Sequence, residues 1–290
     1  DEVIIPDLTF AATINTVLHA NATPVIVDVE EDSWCIDPFE IEKAITKNTK
    51  AIIPVHLYGQ SCDMEAIMRI AQKYDLKVIE DCAEAHGAMC NGKKVGSFGD
   101  IGCFSFYGNK VITTGEGGMC TTNDVELSEK MKLLRDHGMS KDKRYWHDVI
   151  GYNYRMTNLQ AAIGLAQLER IEEIHKNRRE YEDCYKEVLK DNQFNFQKNI
   201  SNRRRITWLV SILLDKSIDR NDYIDKLKTK GIDARPFFYP LSDMDIYKNY
   251  CKNMTYISHR ISEIGLNLPT YESLKSIDDI KNIIKVCNEM

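Results

Sequence analysis

The 290 residues contain no apolar run close to the ~18 positions that a membrane-crossing helix requires. No stretch has the charged start, apolar middle and small-residue end of a secretory signal. No Gly-x-Gly-x-x-Gly follows an early strand, which sets aside a nicotinamide Rossmann enzyme. Basic surplus is lacking too: 38 Lys and Arg stand against 44 Asp and Glu, a formal charge of −6 with pI near 5.7. That balance leaves no electrostatic footprint for nucleic acid. Arg203, Arg204 and Arg205 form only a local cluster, read first as a solvated turn and second as a phosphate contact. The nine cysteines are odd in number and irregular in spacing, so they read as reduced thiols of a cytoplasmic protein rather than a disulfide framework. Cys82, His86 and Cys90 recur at intervals of four but lack the C-x-x-C pairs of structural zinc, so no metal site is expected. Internal repeats and low-complexity linkers are absent as well.

What remains is an ordinary globular composition, 43% hydrophobic and 28% charged, in a chain long enough for one large α/β domain or two smaller ones. Strands are expected at 3–6, 23–29, 51–55 and 76–80, alternating with helices at 15–19, 38–45 and 64–74. Near-continuous apolar runs such as Thr23 to Val29 suit strands covered on both faces. Alternation of this kind argues for a parallel sheet with functional residues at the carboxyl ends of its strands. Two more strands, 104–106 and 118–122, flank a loop. One long helix is expected from 158 to about 190, then a strand at 208–214, a helix at 220–230 closed by Gly231, a strand at 232–235 and a last helix at 280–286.

The flanked loop, Ser105-Phe-Tyr-Gly-Asn-Lys-Val-Ile-Thr-Thr-Gly-Glu-Gly-Gly118, sets Lys110 among aromatic and glycine residues. A lysine partly withdrawn from water loses proton affinity and becomes a nucleophile able to form a Schiff base with a carbonyl. Asp81 and Glu84 fall just after the strand at 76–80. A lysine and an aspartate on neighbouring strand ends are the two groups that pyridoxal phosphate needs. The amine holds the cofactor and shuttles a proton, and the carboxylate keeps the pyridine nitrogen protonated. Phe10 is placed to face the ring, and the Ser105 hydroxyl to bind part of the phosphate.

The segments Asp7–Thr13, Val55–Gln60, Glu80–Ala88, Ser105–Met119 and Gly151–Gly164 together resemble the DegT/DnrJ/EryC1/StrS family, pyridoxal-phosphate sugar aminotransferases of the type I aspartate-aminotransferase fold. The resemblance implies an α/β fold with a mostly parallel central sheet in a large cofactor-binding domain, residues 1–176, and a smaller C-terminal α+β domain, 177–290. It implies that Lys110 and Asp81 are catalytic and that Phe10, Asp81, Glu84, Ser105 and Lys110 bind the cofactor. Asn153 matches an asparagine that reaches the cofactor phosphate of a neighbouring subunit, so a homodimer with shared sites is expected. Glu84 stands where the family often has Gln beside the cofactor's phenolic oxygen, and a carboxylate there repels that oxygen unless one of the two is protonated.

His137-Gly-Met, Arg144-Tyr-Trp-His and Arg235-Pro-Phe-Phe-Tyr-Pro resemble the members that aminate C4 of nucleotide-linked 4-keto-6-deoxy sugars, with glutamate as donor, for O-antigen-type polysaccharide. His137, Arg144, Arg155, Arg235 and Tyr239 are the candidate substrate contacts. A C3 aminotransferase is an alternative within the family, and so is a sugar 3-dehydratase, which typically has His where Lys110 stands. The family also carries a Ser-Gly-Thr phosphate turn before the region that Asp1 opens, and nothing here matches it. An N-terminally incomplete large domain is therefore expected, with a silent dimerising remnant as the third reading.

Overall fold

The computed structural model describes residues 1–189, 193–271 and 277–288. Its first half builds a six-stranded sheet from β1 (Glu2–Pro6), β2 (Thr23–Val27), β3 (Thr49–Ile52), β4 (Lys77–Asp81), β5 (Ile101–Ser105) and β6 (Gly118–Thr121). The order is β2-β1-β3-β4-β5-β6, parallel throughout except for the antiparallel β5–β6 pair. The apolar run predicted to be covered on both faces is so: Pro24 to Val27 are all buried. The order reverses direction at β1, and in such sheets the crevice beyond the strand carboxyl ends is where ligands bind.

The crossover helices are α1 (Ala12–His19), α2 (Pro38–Ala44) and α3 (Met64–Tyr74). In α3 the Asp63 carboxylate accepts the Ala66 N–H, and Met64, Ile67 and Ala71 form the buried stripe. Asp75, left-handed at φ 52°, ends it. Two further helices behave differently. α4 (Val125–Arg135), which the sequence pattern did not announce, and α5 (Asn158–Glu169) contain no buried residue. A capping box between Thr157 and Gln160 starts α5.

The single helix expected from 158 to about 190 is two helices. Arg170 leaves helical geometry at φ −106°, ψ 11°, its N–H bonds to Gln167 O, and α6 (Ile171–Val188) follows. The expected end at Lys190 lies outside the described residues. Beyond α6, the antiparallel sheet β9-β10-β8-β7 is built from β7 (Phe194–Phe196), β8 (Val210–Leu214), β9 (Arg235–Pro236) and β10 (Gly265–Leu268). It packs with α6, α7 (Arg220–Thr229) and α9 (Ile277–Asn288), while α8 (Tyr256–Ile264) leads into β10. Tyr185, Val210, Ile212, Tyr223, Leu227 and Leu266 are among the residues of this second core. Fully burying each such side chain contributes roughly 1.5–3 kcal/mol.

The arginine cluster is not the solvated turn expected. Arg203 is buried between Glu30 and Asp63 and so ties the second half of the chain to the first, while Arg205 pairs with the buried Glu182 of α6. Among the described residues no helix is long and apolar enough to cross a membrane.

Candidate active site

Four of the predicted residues, Asp81, Glu84, Ser105 and Lys110, lie at or just beyond the carboxyl ends of β4 and β5. Asp81 is the last residue of β4 and Ser105 the last of β5, while Lys110 lies in the loop to β6. That loop is closed by Phe106 N–H to Gly117 O (2.9 Å) and Thr114 N–H to Phe106 O (2.9 Å), and the buried Val111 and Ile112 anchor it. Gly117 sits at φ +149°, where a Cβ would lie 2.5 Å from the Thr114 hydroxyl, so no other residue fits without displacement.

The Lys110 side chain is 12% exposed. Its Nζ lies 4.0 Å from the centre of the Trp208 ring and 3.8 Å from Glu84 Oε1, beyond hydrogen-bond reach. Trp208 is itself fixed by its indole N–H, which donates to Asn109 O at 2.8 Å. Glu84 accepts the Tyr58 N–H at 2.9 Å, and Tyr58 holds a left-handed backbone (φ 51°) to present it. Burial pushes the Glu84 carboxyl up to about 7, against the opposing pull of Lys110 and the Tyr58 N–H. The carboxyl therefore titrates near neutral pH.

Asp81 is oriented from two sides. The Thr13 hydroxyl donates to Oδ2 at 3.0 Å, and the Ala83 N–H donates to Oδ1 at 3.1 Å. Phe10, three positions before Thr13, presents a ring that is 61% exposed and tilted against Phe238 at 5.7 Å. The Ser105 hydroxyl accepts the Tyr107 N–H at 3.2 Å. Lys110 also lines a cavity of ≈ 410 Å³, which Gln167, Arg170, Arg178, Arg235 and Asn267 share.

Of the predicted substrate contacts, Arg235 reaches this cavity, paired with Asp233 at 2.9 Å. Tyr239 is half-exposed beside the Arg220 guanidinium. The others gather elsewhere. His137, left-handed at φ 58°, accepts His147 Nδ1 at its carbonyl; Arg155 contacts Asp136; and Asn153 bridges Asp136 through the backbone. Arg144 lies over the Tyr145 ring. Thus 136–155 forms its own exposed cluster, outside the lining of the Lys110 cavity.

Trp208, Tyr58 and Thr13 received no role from sequence reasoning. Tyr58 and Thr13 lie inside motifs that were noted, whereas Trp208 carried no local signal. His86 is buried between the Phe104 and Phe106 rings, and burial pushes it down to about 4. Cys82 approaches His56 and Glu80, the three ligand atoms lying within 4.8 Å. Both Glu80 oxygens already accept hydrogen bonds from Gly96, Phe98 and Gly99 N–H.

This donor set fits pyridoxal phosphate: a sheltered amine with a carboxyl that titrates near neutrality beside it, a doubly oriented carboxylate, and an unburied aromatic face. The sequence matches the DegT/DnrJ/EryC1/StrS aminotransferase family over residues 1–288. The chain belongs to that family, and its cofactor is pyridoxal phosphate. It is 45% identical to the GDP-perosamine synthase of Caulobacter vibrioides over 282 residues, covering 96% of this chain and 76% of that one. Helicobacter pylori PseC, an aminotransferase involved in the biosynthesis of pseudoaminic acid, superposes with a TM-score of 0.93 at 30% identity, covering 99% and 79%. Spr1654 of Streptococcus pneumoniae, solved in a PLP form, gives 0.90 at 28%, covering 100% and 81%.

Proposed function

We propose that this aminotransferase converts a nucleotide-linked 4-keto-6-deoxy sugar to its 4-amino sugar, with glutamate as donor. The observation that carries the reading is a sheltered Lys110 beside Glu84, with Asp81 at the carboxyl end of β4, in a chain 45% identical to a GDP-perosamine synthase. The cofactor, when bound, supplies a carbonyl for the amine and a ring that stores the electron pair released at the reacting carbon. Lys110 Nζ takes the proton from the donor's α-carbon and returns one to the sugar carbon. Asp81, fixed by Thr13 and Ala83, holds a proton at the ring nitrogen. Glu84 holds or releases a proton beside the phenolic oxygen, and Phe10 and Trp208 present aromatic faces that exclude water. Ser105 takes part of the phosphate, Arg235 and Tyr239 contact glutamate and the sugar nucleotide, and His137, Arg144 and Arg155, clustered away from the Lys110 cavity, contact them only across the shared sites of the homodimer.

A homodimer with shared sites is part of this reading, supported by α5, where Leu159 is 80% exposed and Ile163, Leu165 and Leu168 are also uncovered. Asn153 then serves the partner's cofactor. The division at 176/177 is retained, with the boundary inside α6 and the second core drawing on residues from Tyr185 to Cys287. Free cysteines throughout suit a cytoplasmic enzyme. To test the reaction, the protein is incubated with pyridoxal phosphate, glutamate and a panel of nucleotide ketosugars, and products are read by mass spectrometry. A 4-amino sugar, absent with Lys110→Ala, is expected; a deoxygenated ketosugar without transferred nitrogen would contradict it.

A further inference from the structure

Cys103 on β5 and Cys120 on β6 stand directly opposite each other in the antiparallel ladder. The ladder's hydrogen bonds fix which kind of pair they form. Phe106 N–H donates to Gly117 O, so 106/117 is hydrogen-bonded, and alternation makes 104/119 hydrogen-bonded and 103/120 not. The Cys103 carbonyl agrees, because it turns the other way and accepts the Cys82 N–H at 2.8 Å. Opposed residues of this kind have Cα atoms about 4.5 Å apart, within the roughly 4.4–6.8 Å that a disulfide spans.

The two thiols are unequal. Cys120 is exposed and Cys103 half-buried. A hydrogen bond from the Cys103 thiol, partly opposed by burial, lowers Cys120 to about 7. The same bond, burial and the nearby Cys120 and Asp81 charges keep Cys103 protonated. The molecule carries an internal contrast in Cys35 and Cys62, which are also neighbours. Both are buried, their sulfurs face the carbonyls of Gln60 and Val55, and burial raises Cys62 well above an ordinary thiol.

We propose that Cys103 and Cys120 form a thiol pair that a low-molecular-weight disulfide, of which glutathione disulfide is the probe, oxidises to a cross-strand disulfide. Cys120 thiolate attacks one sulfur of the small disulfide. Its S–S bond breaks, one small thiolate leaves and takes up a proton, and a mixed disulfide remains on Cys120. Cys103 then gives its proton to solvent and attacks the Cys120 sulfur, expelling the second small thiolate. Two electrons pass from the cysteine pair to the small disulfide, which ends as two thiols. The new bond lies two residues from Ser105 on one strand and from Gly118 on the other, with Asp81 in register with Cys103 across β4. It therefore ties together the two strands that carry the Lys110 loop.

The reduced full chain is exposed to glutathione disulfide, acid-quenched and mapped by mass spectrometry, a readout independent of cofactor and activity. Wild type is expected to lose two hydrogens in a single link between Cys103 and Cys120, with Cys35 and Cys62 still reduced. Cys103→Ser is expected to stop at a glutathione adduct on Cys120, and Cys120→Ser to leave Cys103 unmodified. Alkylation of Cys120 by iodoacetamide should set in at lower pH than that of an ordinary exposed thiol. The proposal is overturned by no reaction, by an unresolved adduct on wild-type Cys120, or by a first modification at another cysteine.

Discussion

Glu80 and Glu84 lie four residues apart where β4 ends, both buried, and their surroundings treat them in opposite ways. Glu80 Oε1 accepts Phe98 and Gly99 N–H at 2.7 and 2.8 Å, and Oε2 accepts Gly96 N–H at 2.7 Å and meets His56 Nε2 at 3.2 Å. Burial alone would raise this carboxyl, yet His56 and the backbone donors hold it below the usual value. Glu84 has one backbone donor and a lysine amine 3.8 Å away, and burial raises it. One carboxylate is saturated and clamps the 96–99 turn to the sheet. The other is undersupplied with donors and faces the Lys110 amine, which is the condition for proton exchange near neutral pH.

Removing the saturated group should do the greater damage to the fold. Glu80→Ala leaves three part-buried N–H groups and the buried His56 without their acceptor and is expected to lower stability by roughly 3–5 kcal/mol in urea unfolding. A loss below about 1 kcal/mol would erase the distinction between the two sites. Because Glu80 titrates below its unfolded value, its contribution is present above the unfolded value and disappears as pH falls through the folded one.

Glu84 has the opposite sign. Its folded value of about 7 lies above the ordinary glutamate value of 4.5, so the folded chain binds more protons between these limits, and stability falls as pH rises from about 4.5 to 7. Glu84→Gln removes that dependence. The variant should therefore gain on wild type between pH 4.5 and pH 8, by about 3 kcal/mol at most. Parallel curves of stability against pH for the two proteins would remove Glu84 from the titration. The smallest effect is expected at the donor to Asp81: Thr13→Val deletes one hydrogen bond to a carboxylate and should cost about 1.5 kcal/mol in the same unfolding assay.

The strand end at Asp81 and the loop that holds Lys110 were legible in the sequence, because an apolar run and a glycine-rich segment announce themselves locally. The helix at 64–74 was equally open, with an Asp cap and a buried stripe at 64, 67 and 71. Trp208 was not, since its bond to Asn109 joins residues 99 apart in the chain, and neither segment signals the other. The break at Arg170 has no proline or glycine to mark it. α4 escaped notice for a different reason: it buries nothing, so no apolar stripe reveals it. Arg203 looked like a solvated charge because its partners, Glu30 and Asp63, lie far earlier in the chain.

In the proposed reaction the Lys110 amine is the group that joins the cofactor. The chain is mixed with pyridoxal phosphate, reduced with borohydride, digested and mapped. Stoichiometric label is expected on Lys110, lost in Lys110→Ala and retained in Glu84→Gln; label on another lysine, or none on the wild-type chain, would overturn that role.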